Sequence, residues 1–280
     1  MDTKQGSASF EIAGGSVTGH AHVAAGRNNQ DAFCWALGAD GLVAVVCDGC
    51  GSGPRSEVGA QIGARLLVRA AARLLSSSLE VADLLEQVRQ DVLATLRLLA
   101  REMSVDAPLS SSPTSAASFS RTVADQFLFT IVGVLITAGV ATTFSLGDGL
   151  VVINGDRTQL GPFPNNEPPY LGYSLLPGAP DRGPSDHLSF QVHRSMAASE
   201  VQSLVLGTDG AVELEAIAGR AIQGRDEVVG PLSQFWIDDR FFKNPDMVRR
   251  RLTVLNRGPR GGVLSDDTTL VVVRQKVAEG

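Results

Sequence analysis

The chain has 280 residues, a length that fits one large domain or two small ones. Hydrophobic residues make up 44% and charged residues 19%, which is ordinary for a soluble globular protein whose core needs no disulfides. The 24 basic and 30 acidic residues give a formal net charge of −6, which disfavours general nucleic-acid binding because that function favours clustered lysine and arginine.

The three cysteines are an odd number, which predicts free thiols in a reducing compartment. Cys47 and Cys50 form a C-x-x-C, which leaves a redox pair or half a zinc site open. No second Cys or His pair lies at zinc-ribbon spacing, so two unrelated thiols, at a strand end and in a turn, are favoured. The N-terminus lacks a basic segment followed by an apolar core, so we expect a cytoplasmic protein without a signal peptide and without a membrane partner.

The first half of the chain predicts strands followed by two helices, after a flexible tail over residues 1–9. Alternating and apolar runs predict strands over residues 10–18, 32–37 and 42–47. Apolar residues at helical spacing predict a helix that starts near Ser56, which is a plausible N-cap. A second helix is predicted over residues 80–103. Two such helices, joined by a short turn, could cover one face of a sheet.

The second half predicts further strands around two irregular segments. Residues 104–124 are rich in serine and predict a flexible loop rather than a domain boundary, because strands resume directly after them. Residues 155–185 are rich in proline and glycine and predict a flap-like segment without periodicity. Strands are predicted over residues 126–137, 139–146, 150–153, 188–192, 201–206 and 270–274, and helices mostly over 212–256. We interpret residues 10–280 as a single domain.

Carboxylates recur where the predicted strands begin or end. These positions are Asp31, Asp48, Asp148, Asp209, Asp266 and Asp267. One Asp-Gly is a common turn, but three of them after strands, with an Asp-Asp before another strand, are a much stronger signal. Carboxylates that converge repel one another unless a cation neutralises them. Oxygen ligands without a Cys/His set favour Mg²⁺ or Mn²⁺ over zinc.

The ordered segments NNQDAF, VAVVCDGCGSG, SLGDG, LVLGTDG and SDDTTLVVV resemble the metal-dependent protein phosphatase 2C family, over residues 19–274. The pair NQDAF and DGxGSGxxSxxGA is most similar to its compact bacterial branch. The resemblance implies an α+β fold, an αββα sandwich of two antiparallel sheets flanked by helices, with a metal site at one edge. It implies a serine/threonine protein phosphatase that uses a metal-activated water at a binuclear Mn²⁺ or Mg²⁺ centre.

Matching positions extend the resemblance to individual residues. The implied metal ligands are Asp31, Asp48, Gly49 through its backbone oxygen, Asp148, Asp209 and Asp266. Two cations per site are implied, with a third associated with Asp148. Asp48 is the expected bridging ligand because its two oxygens can each take one cation. Gln30 stands where many relatives have Glu, but some bacterial members also read NQD, so we do not interpret it as a defect.

This sequence departs from the family pattern at the phosphate-binding arginine and at the general acid. The family arginine matches Gly26 here, and Arg27 stands one residue late, which leaves its reach to the phosphate open. Many relatives carry His in the glycine-rich turn, where this chain has Cys50. His22 is the candidate in its place. His20 and His22 would share a face if extended, which leaves a metal pair open, although structural roles are favoured.

The resemblance implies a phosphorylated protein as substrate and a serine/threonine kinase as counterpart, and we expect a monomer. The alternative is a catalytically weak or inactive phosphatase-like regulatory module that binds a phosphoprotein or a kinase. The displaced arginine and the absent turn histidine are consistent with it. A phosphatase that acts on a small phosphorylated metabolite is a third interpretation. The segment over residues 163–184 lies where relatives carry a flap, which leaves a gate or a rigid loop open.

Overall fold

A computed structural model of the protein describes residues 9–104, 113–177, 188–222, 224–244, 246–257 and 262–276. Parts of three predicted segments lie outside the described residues. They are residues 1–8 of the predicted tail over residues 1–9, and residues 105–112 and 178–185 of the two predicted loops. Among the described residues, none of the helices combines the length and the apolarity needed to span a bilayer.

Ten strands form two five-stranded antiparallel sheets. The strands are β1 (Phe10–Val17), β2 (Asp31–Gly38), β3 (Gly41–Asp48), β4 (Ile131–Ile136), β5 (Val140–Leu146), β6 (Gly149–Ile153), β7 (Asp156–Leu160), β8 (Gln191–Ala197), β9 (Ser203–Gly207) and β10 (Thr268–Gln275). Their order is β1-β10-β9-β6-β7 in the first sheet and β2-β3-β4-β5-β8 in the second.

Helices cover the outer faces of both sheets. They are α1 (His20–Ala24), α2 (Ser56–Leu74), α3 (Val81–Glu102), α4 (Pro113–Gln126), α5 (Asp209–Ala216), α6 (Gln234–Ile237), α7 (Arg240–Lys243) and α8 (Met247–Leu255). The long helices α2 and α3 pack with α4 on the second sheet, and α5 to α8 pack on the first. The αββα sandwich that the resemblance implies is therefore confirmed.

The strand sequences explain the layers. In β3, Val43, Val45 and Cys47 pack toward α2 and α3, whereas the alternate residues Leu42, Ala44 and Val46 pack between the sheets. Successive side chains of a strand point to opposite faces, so a strand buried on both sides is apolar throughout. Strand β10 repeats this pattern from the first sheet, with Leu270 and Val272 toward the helices.

Several predicted elements need correction. Residues 113–124, predicted as loop, belong to α4, because Val123 is fully buried and the helix packs beside α2 and α3. Burial of Thr122 and Val123 outweighs the loop propensity of serine. The fourth predicted strand is consequently shorter, since α4 runs to Gln126 and β4 begins at Ile131. The strand predicted over residues 188–192 lies at Gln191–Ala197 instead.

The flap-like segment contains more regular structure than its composition predicts. It holds strand β7 and two 3₁₀ turns, Pro164–Asn166 and Leu171–Leu175. Within it, Tyr170 and Leu171 are buried in the core beneath α3 and α4, so this part is packed rather than loose. The prediction that Ser56 is the N-cap of α2 also needs correction, because Ser56 is the first residue of that helix. Its buried hydroxyl accepts a hydrogen bond from Gln30 Nε2 at 2.5 Å.

Candidate active site

Strand ends of both sheets bring the acidic residues to one edge of the sandwich. Asp48 is the last residue of β3 and pairs in register with Asp31, the first residue of β2. Asp48 follows Val46 by two positions, so its side chain lies on the face of β3 that is directed toward the first sheet. Asp148 lies in the turn between β5 and β6, and Asp209 opens α5 just after β9.

A cavity of about 100 Å³ opens at this edge. Its lining residues are His22, Gln30, Asp48, Gly49, Cys50, Gly51, Asp148, Asn166, Pro168, Tyr170, Asp209 and Asp266. Of the residues implied as metal ligands, five lie in this lining, and Asp31 lies buried beside Asp48. None of the lining residues that the structure describes is lysine or arginine, so the carboxylates face one another with His22 as the one basic side chain of the lining.

Burial and mutual repulsion raise the pKa values of these carboxyl groups. Burial, followed by repulsion from Asp31 and Asp209, raises the pKa of Asp48 well above its ordinary value. Burial also raises the pKa of Asp31, against a hydrogen bond of 2.7 Å from Thr208 Oγ1. Burial, followed by repulsion from Asp266 and Asp148, raises the pKa of Asp209 to about 7. Such shifts follow when carboxylates gather without a compensating cation.

Three buried polar atoms beside the cavity lack a hydrogen-bond partner among the described residues. They are Asp31 Oδ1 and Gln30 Oε1, in residues that are 5% and 2% exposed, and His22 Nδ1. A buried acceptor without a donor is costly, so such an atom indicates a missing ligand. Because the donor atoms are carboxylate, amide and backbone oxygens, the residues present fit a hard divalent cation such as Mg²⁺ or Mn²⁺.

Asp267 is the central acceptor behind the cavity, although only Asp266 was expected to act there. Its buried carboxylate accepts hydrogen bonds from Gly19 N at 2.7 Å and from Gln30 N at 2.5 Å. Its Oδ2 also lies 2.9 Å from His22 Nδ1. Asp267 therefore ties the start of α1 to the approach of β2, and the ring of His22 lies beside it at the cavity.

His22, Asp266 and Asp267 offer ligand atoms within 4.8 Å of one another. Within the described part of the chain, this is the one group of three or more acidic, His or Cys side chains that close together. The metal pair of His20 and His22, left open for an extended segment, is not supported, because both residues lie in helix α1 and residues two apart on a helix do not face each other. His20 Nδ1 instead lies 2.9 Å from the carbonyl of Leu264.

Arg27 contacts the glycine-rich turn rather than the cavity. Its guanidinium donates to the carbonyl oxygens of Gly51 at 2.7 Å and Gly53 at 3.0 Å. Gln30 Nε2 donates to the same Gly53 oxygen at 3.1 Å. The turn that follows Asp48 is therefore held from outside by Arg27 and from inside by Gln30. Sequence reasoning missed this role because neighbouring carbonyls leave no signature in the sequence.

Cys50 lies in the glycine-rich turn where many members of the resembling family carry a histidine. Its Sγ lies 3.1 Å from Ser52 Oγ, and Tyr170 hydrogen-bonds to it from the flap-like segment. Burial opposes ionisation of the thiol, but the hydrogen bonds from Ser52 and Tyr170 outweigh it and lower the pKa of Cys50. Cys50 and Tyr170 thus form one wall of the cavity and join the turn to the flap-like segment.

The fold and this acidic edge together define a phosphatase-like class, and the sequence belongs to the protein phosphatase 2C family. The family model described as "Protein phosphatase 2C" matches residues 18–237. No curated protein matches the sequence.

Solved structures share the fold at low sequence identity. A bacterial serine phosphatase carrying an arginine-to-alanine substitution is 14% identical, with a TM-score of 0.53, over 96% of this chain and 100% of that one. Another structure described as a bacterial serine phosphatase is 15% identical, with a TM-score of 0.51, over 97% and 100%. At sequence identities this low, the similarity to these structures shows a shared fold and nothing more.

Proposed function

We propose that this chain is a metal-dependent serine/threonine protein phosphatase that uses Mn²⁺ or Mg²⁺. The observation that carries the proposal is the cavity of about 100 Å³, where Asp48, Asp148, Asp209 and Asp266 meet without a lining lysine or arginine. Membership of the protein phosphatase 2C family supports the same conclusion.

The proposed cation ligands are the residues that the sequence implies. They are Asp31, Asp48, Gly49 through its carbonyl oxygen, Asp148, Asp209 and Asp266. When bound, divalent cations supply Lewis-acid chemistry, lowering the pKa of a water and offsetting charge on phosphoryl oxygens. Two cations with a third at Asp148 remain our expectation for the stoichiometry.

His22 and Arg27 support the reaction in different ways. His22, which lines the cavity beside Asp267, is the proposed proton donor to the serine or threonine oxygen that leaves phosphorus. Arg27 positions the glycine-rich turn, which presents Gly49 and Cys50 to the cavity. Because two carbonyls already occupy its guanidinium, we assign Arg27 a positioning role in preference to the phosphate contact that its sequence position suggested.

The size of the cavity favours a protein substrate over a small metabolite. Pockets that enclose small molecules measure roughly 300–1,000 Å³. A cavity of about 100 Å³ accommodates little more than a phosphoryl group and its attacking water. The remainder of the substrate then lies on the protein surface, which suits a phosphorylated side chain on a polypeptide.

The test compares two aspartates at opposite ends of the β2–β3 hairpin. We expect purified protein to release phosphate from a phosphoserine or phosphothreonine peptide only with Mn²⁺ or Mg²⁺. Asp48→Asn, at the cavity, should lower kcat by more than about 100-fold, as losses of key polar groups do in other enzymes. Asp40→Asn, in the exposed turn at the other end, should retain full activity. Equal activities of the two variants, or no phosphate release at all, would contradict the proposal.

A second candidate is the inactive regulatory module, and the position of Arg27 favours it specifically. An arginine held by two carbonyls leaves the phosphate without its usual basic contact. This candidate predicts that calorimetry detects Mn²⁺ binding and that Asp48→Asn abolishes it, while no phosphopeptide is hydrolysed. Phosphate release by the metal-loaded wild type at a rate that Asp48→Asn eliminates would rule it out.

A further inference from the structure

Charge is distributed unevenly along this chain. Residues 218–260 carry nine basic and five acidic side chains, whereas the remaining residues carry fifteen basic and twenty-five acidic ones. The described parts of this segment form α6, α7, α8 and the turns before them, on the outer face of the first sheet. An acidic protein therefore carries a basic segment on this face, and nothing in the proposed phosphatase chemistry uses it.

The same surface contains a cavity of about 480 Å³, much larger than the acidic one. Its walls carry four arginines, Arg225, Arg240, Arg250 and Arg251. Its apolar lining comes from Phe241, Met247 and Val254, and two acidic residues, Glu227 and Asp238, also line it. The two cavities share no lining residue, so this site stands independently of the phosphatase proposal.

Two of the arginines are already paired with other residues of the lining. Arg251 donates to Glu227 Oε2 at 2.9 Å and to Gln234 Oε1 at 3.0 Å. Arg240 is paired with Asp238 at 2.5 Å. These pairs use the acidic groups of the lining, so no lining carboxylate is left to neutralise the other two arginines.

Arg225 and Arg250 supply the unneutralised charge. The exposed Arg225 side chain makes no hydrogen bond or ion pair with any residue in the described part of the chain. Arg250 shares a single carboxylate, Asp246, with Arg249, at 3.1 Å and 2.7 Å respectively. One carboxylate cannot balance two guanidinium groups, so this rim keeps a net positive charge.

Exposed apolar side chains flank the same cavity. Val228 is 54% exposed and Ile237 is 69% exposed, and each directly follows or precedes an acidic lining residue, Glu227 or Asp238. The lining itself contains arginine, phenylalanine and methionine, which are residue types enriched at protein interfaces.

We propose that this cavity is a docking site for an acidic segment of another protein, in which carboxylates alternate with apolar side chains. The carboxylates pair with Arg225 and Arg250 at the rim, and the apolar side chains enter the cavity over Phe241 and Met247. The volume of about 480 Å³ suits several side chains and exceeds what a single phosphate fills. Complementary charge gives such a complex its specificity and its rate of association.

The experiment measures fluorescence anisotropy with the full chain and a labelled peptide of repeated Glu-Glu-Leu. We expect saturable binding that weakens as salt increases, because salt screens the rim charges. Arg225→Glu combined with Arg250→Glu should weaken binding by at least about tenfold. The matched control variant reverses the charge of two exposed arginines on the opposite helical layer, through Arg69→Glu with Arg97→Glu. This variant should bind the peptide like the wild type.

Several outcomes would overturn the proposal. They are no binding by the wild type, equal losses in both double variants, equal binding of a Lys-Lys-Leu peptide, and tighter binding of a labelled single-stranded DNA. Thermal unfolding of each variant shows whether it is folded. Arg225→Ala removes a side chain with no partner among the described residues, so it tests the rim without disturbing the fold and should still weaken binding by a few-fold.

Discussion

At the scale of single residues, two adjacent aspartates have opposite environments. Asp267 is 2% exposed and accepts two backbone N–H groups, whereas the side chain of Asp266 is 54% exposed. The sequence places both before β10, but it does not distinguish the buried acceptor from the candidate ligand. The partners of Asp267 are Gly19 and Gln30, more than 200 residues away along the chain, and only the folded sandwich brings them together.

Asp267→Ala should destabilise the protein far more than Asp266→Ala. The first substitution leaves the buried amides of Gly19 and Gln30 without an acceptor, at a cost of about 1–3 kcal/mol each. The second removes an exposed carboxylate and should change the free energy of unfolding by less than about 0.5 kcal/mol. Urea denaturation of the metal-free variants measures both values. Similar values for the two variants would show that Asp267 does not hold these segments.

Arg27→Lys tests whether Arg27 positions the turn or binds phosphate. Lysine has one charged nitrogen and cannot span the carbonyls of Gly51 and Gly53 as the planar guanidinium does. If the side chain acts through the turn, kcat for a phosphopeptide should fall about tenfold while KM stays within about twofold. Arg55→Lys is the control, since Arg55 is exposed in the same turn. A higher KM with unchanged kcat would instead indicate direct contact with the phosphate.

At the scale of secondary-structure elements, the close approach of helix α2 to an aromatic ring explains why a glycine lies within the helix, which helical periodicity alone does not explain. Gly63 lies in the middle of α2, and a β-carbon there would lie 2.2 Å from the ring of Phe129. Gly63→Ala should therefore destabilise the protein by about 1–3 kcal/mol, although alanine is the better helix former. A β-carbon at Gly139 would meet no atom within 4 Å, so Gly139→Ala is the control. Equal melting temperatures for both variants would contradict this close packing.

Periodicity predicted the long elements well, and it failed where packing decides the structure. The apolar runs of β3 and β10 and the helical spacing in α2 and α3 reflect burial that repeats along the chain. In α4 the sequence is small and polar, and burial of Val123 against neighbouring helices stabilises the helix instead. In α1, five residues are too few for a periodic signal, so His20 and His22 could not be placed correctly.

At the scale of the whole molecule, the acidic edge exists because the two sheets close over each other. The resemblance supplied the order of the motifs, and that order predicted both the sandwich and the group of carboxylates at its edge. It could not supply the contacts of Arg27, Gln30 and Asp267, which depend on side-chain geometry across both sheets. The net positive charge of the basic cavity on α6 to α8 likewise depends on which arginines form ion pairs with carboxylates in the folded protein.

The acidic edge should make the metal-free protein less stable as pH rises. Asp209 has an ordinary pKa of 3.8 that rises to about 7 in the folded protein, so between these values the folded state binds more protons than the unfolded state. Stability falls with pH wherever the folded state binds more protons, and the raised pKa values of Asp31 and Asp48 act in the same direction. In EDTA, the melting temperature should therefore decrease from pH 4 through pH 7, apart from contributions of other groups.

Mn²⁺ should reverse this loss at pH 7, because a cation that binds the folded state stabilises it. At a hundredfold excess over Kd the stabilisation is about 2.7 kcal/mol. Asp209→Asn should flatten the pH dependence in EDTA and weaken the response to Mn²⁺, whereas Asp40→Asn should change neither. Scanning calorimetry of the three proteins, with EDTA and with Mn²⁺, measures both effects. The prediction would be contradicted by a melting temperature that rises from pH 4 to 7 in EDTA and does not change when Mn²⁺ is added. That result would mean that these carboxylates neither repel one another in the metal-free protein nor bind the cation.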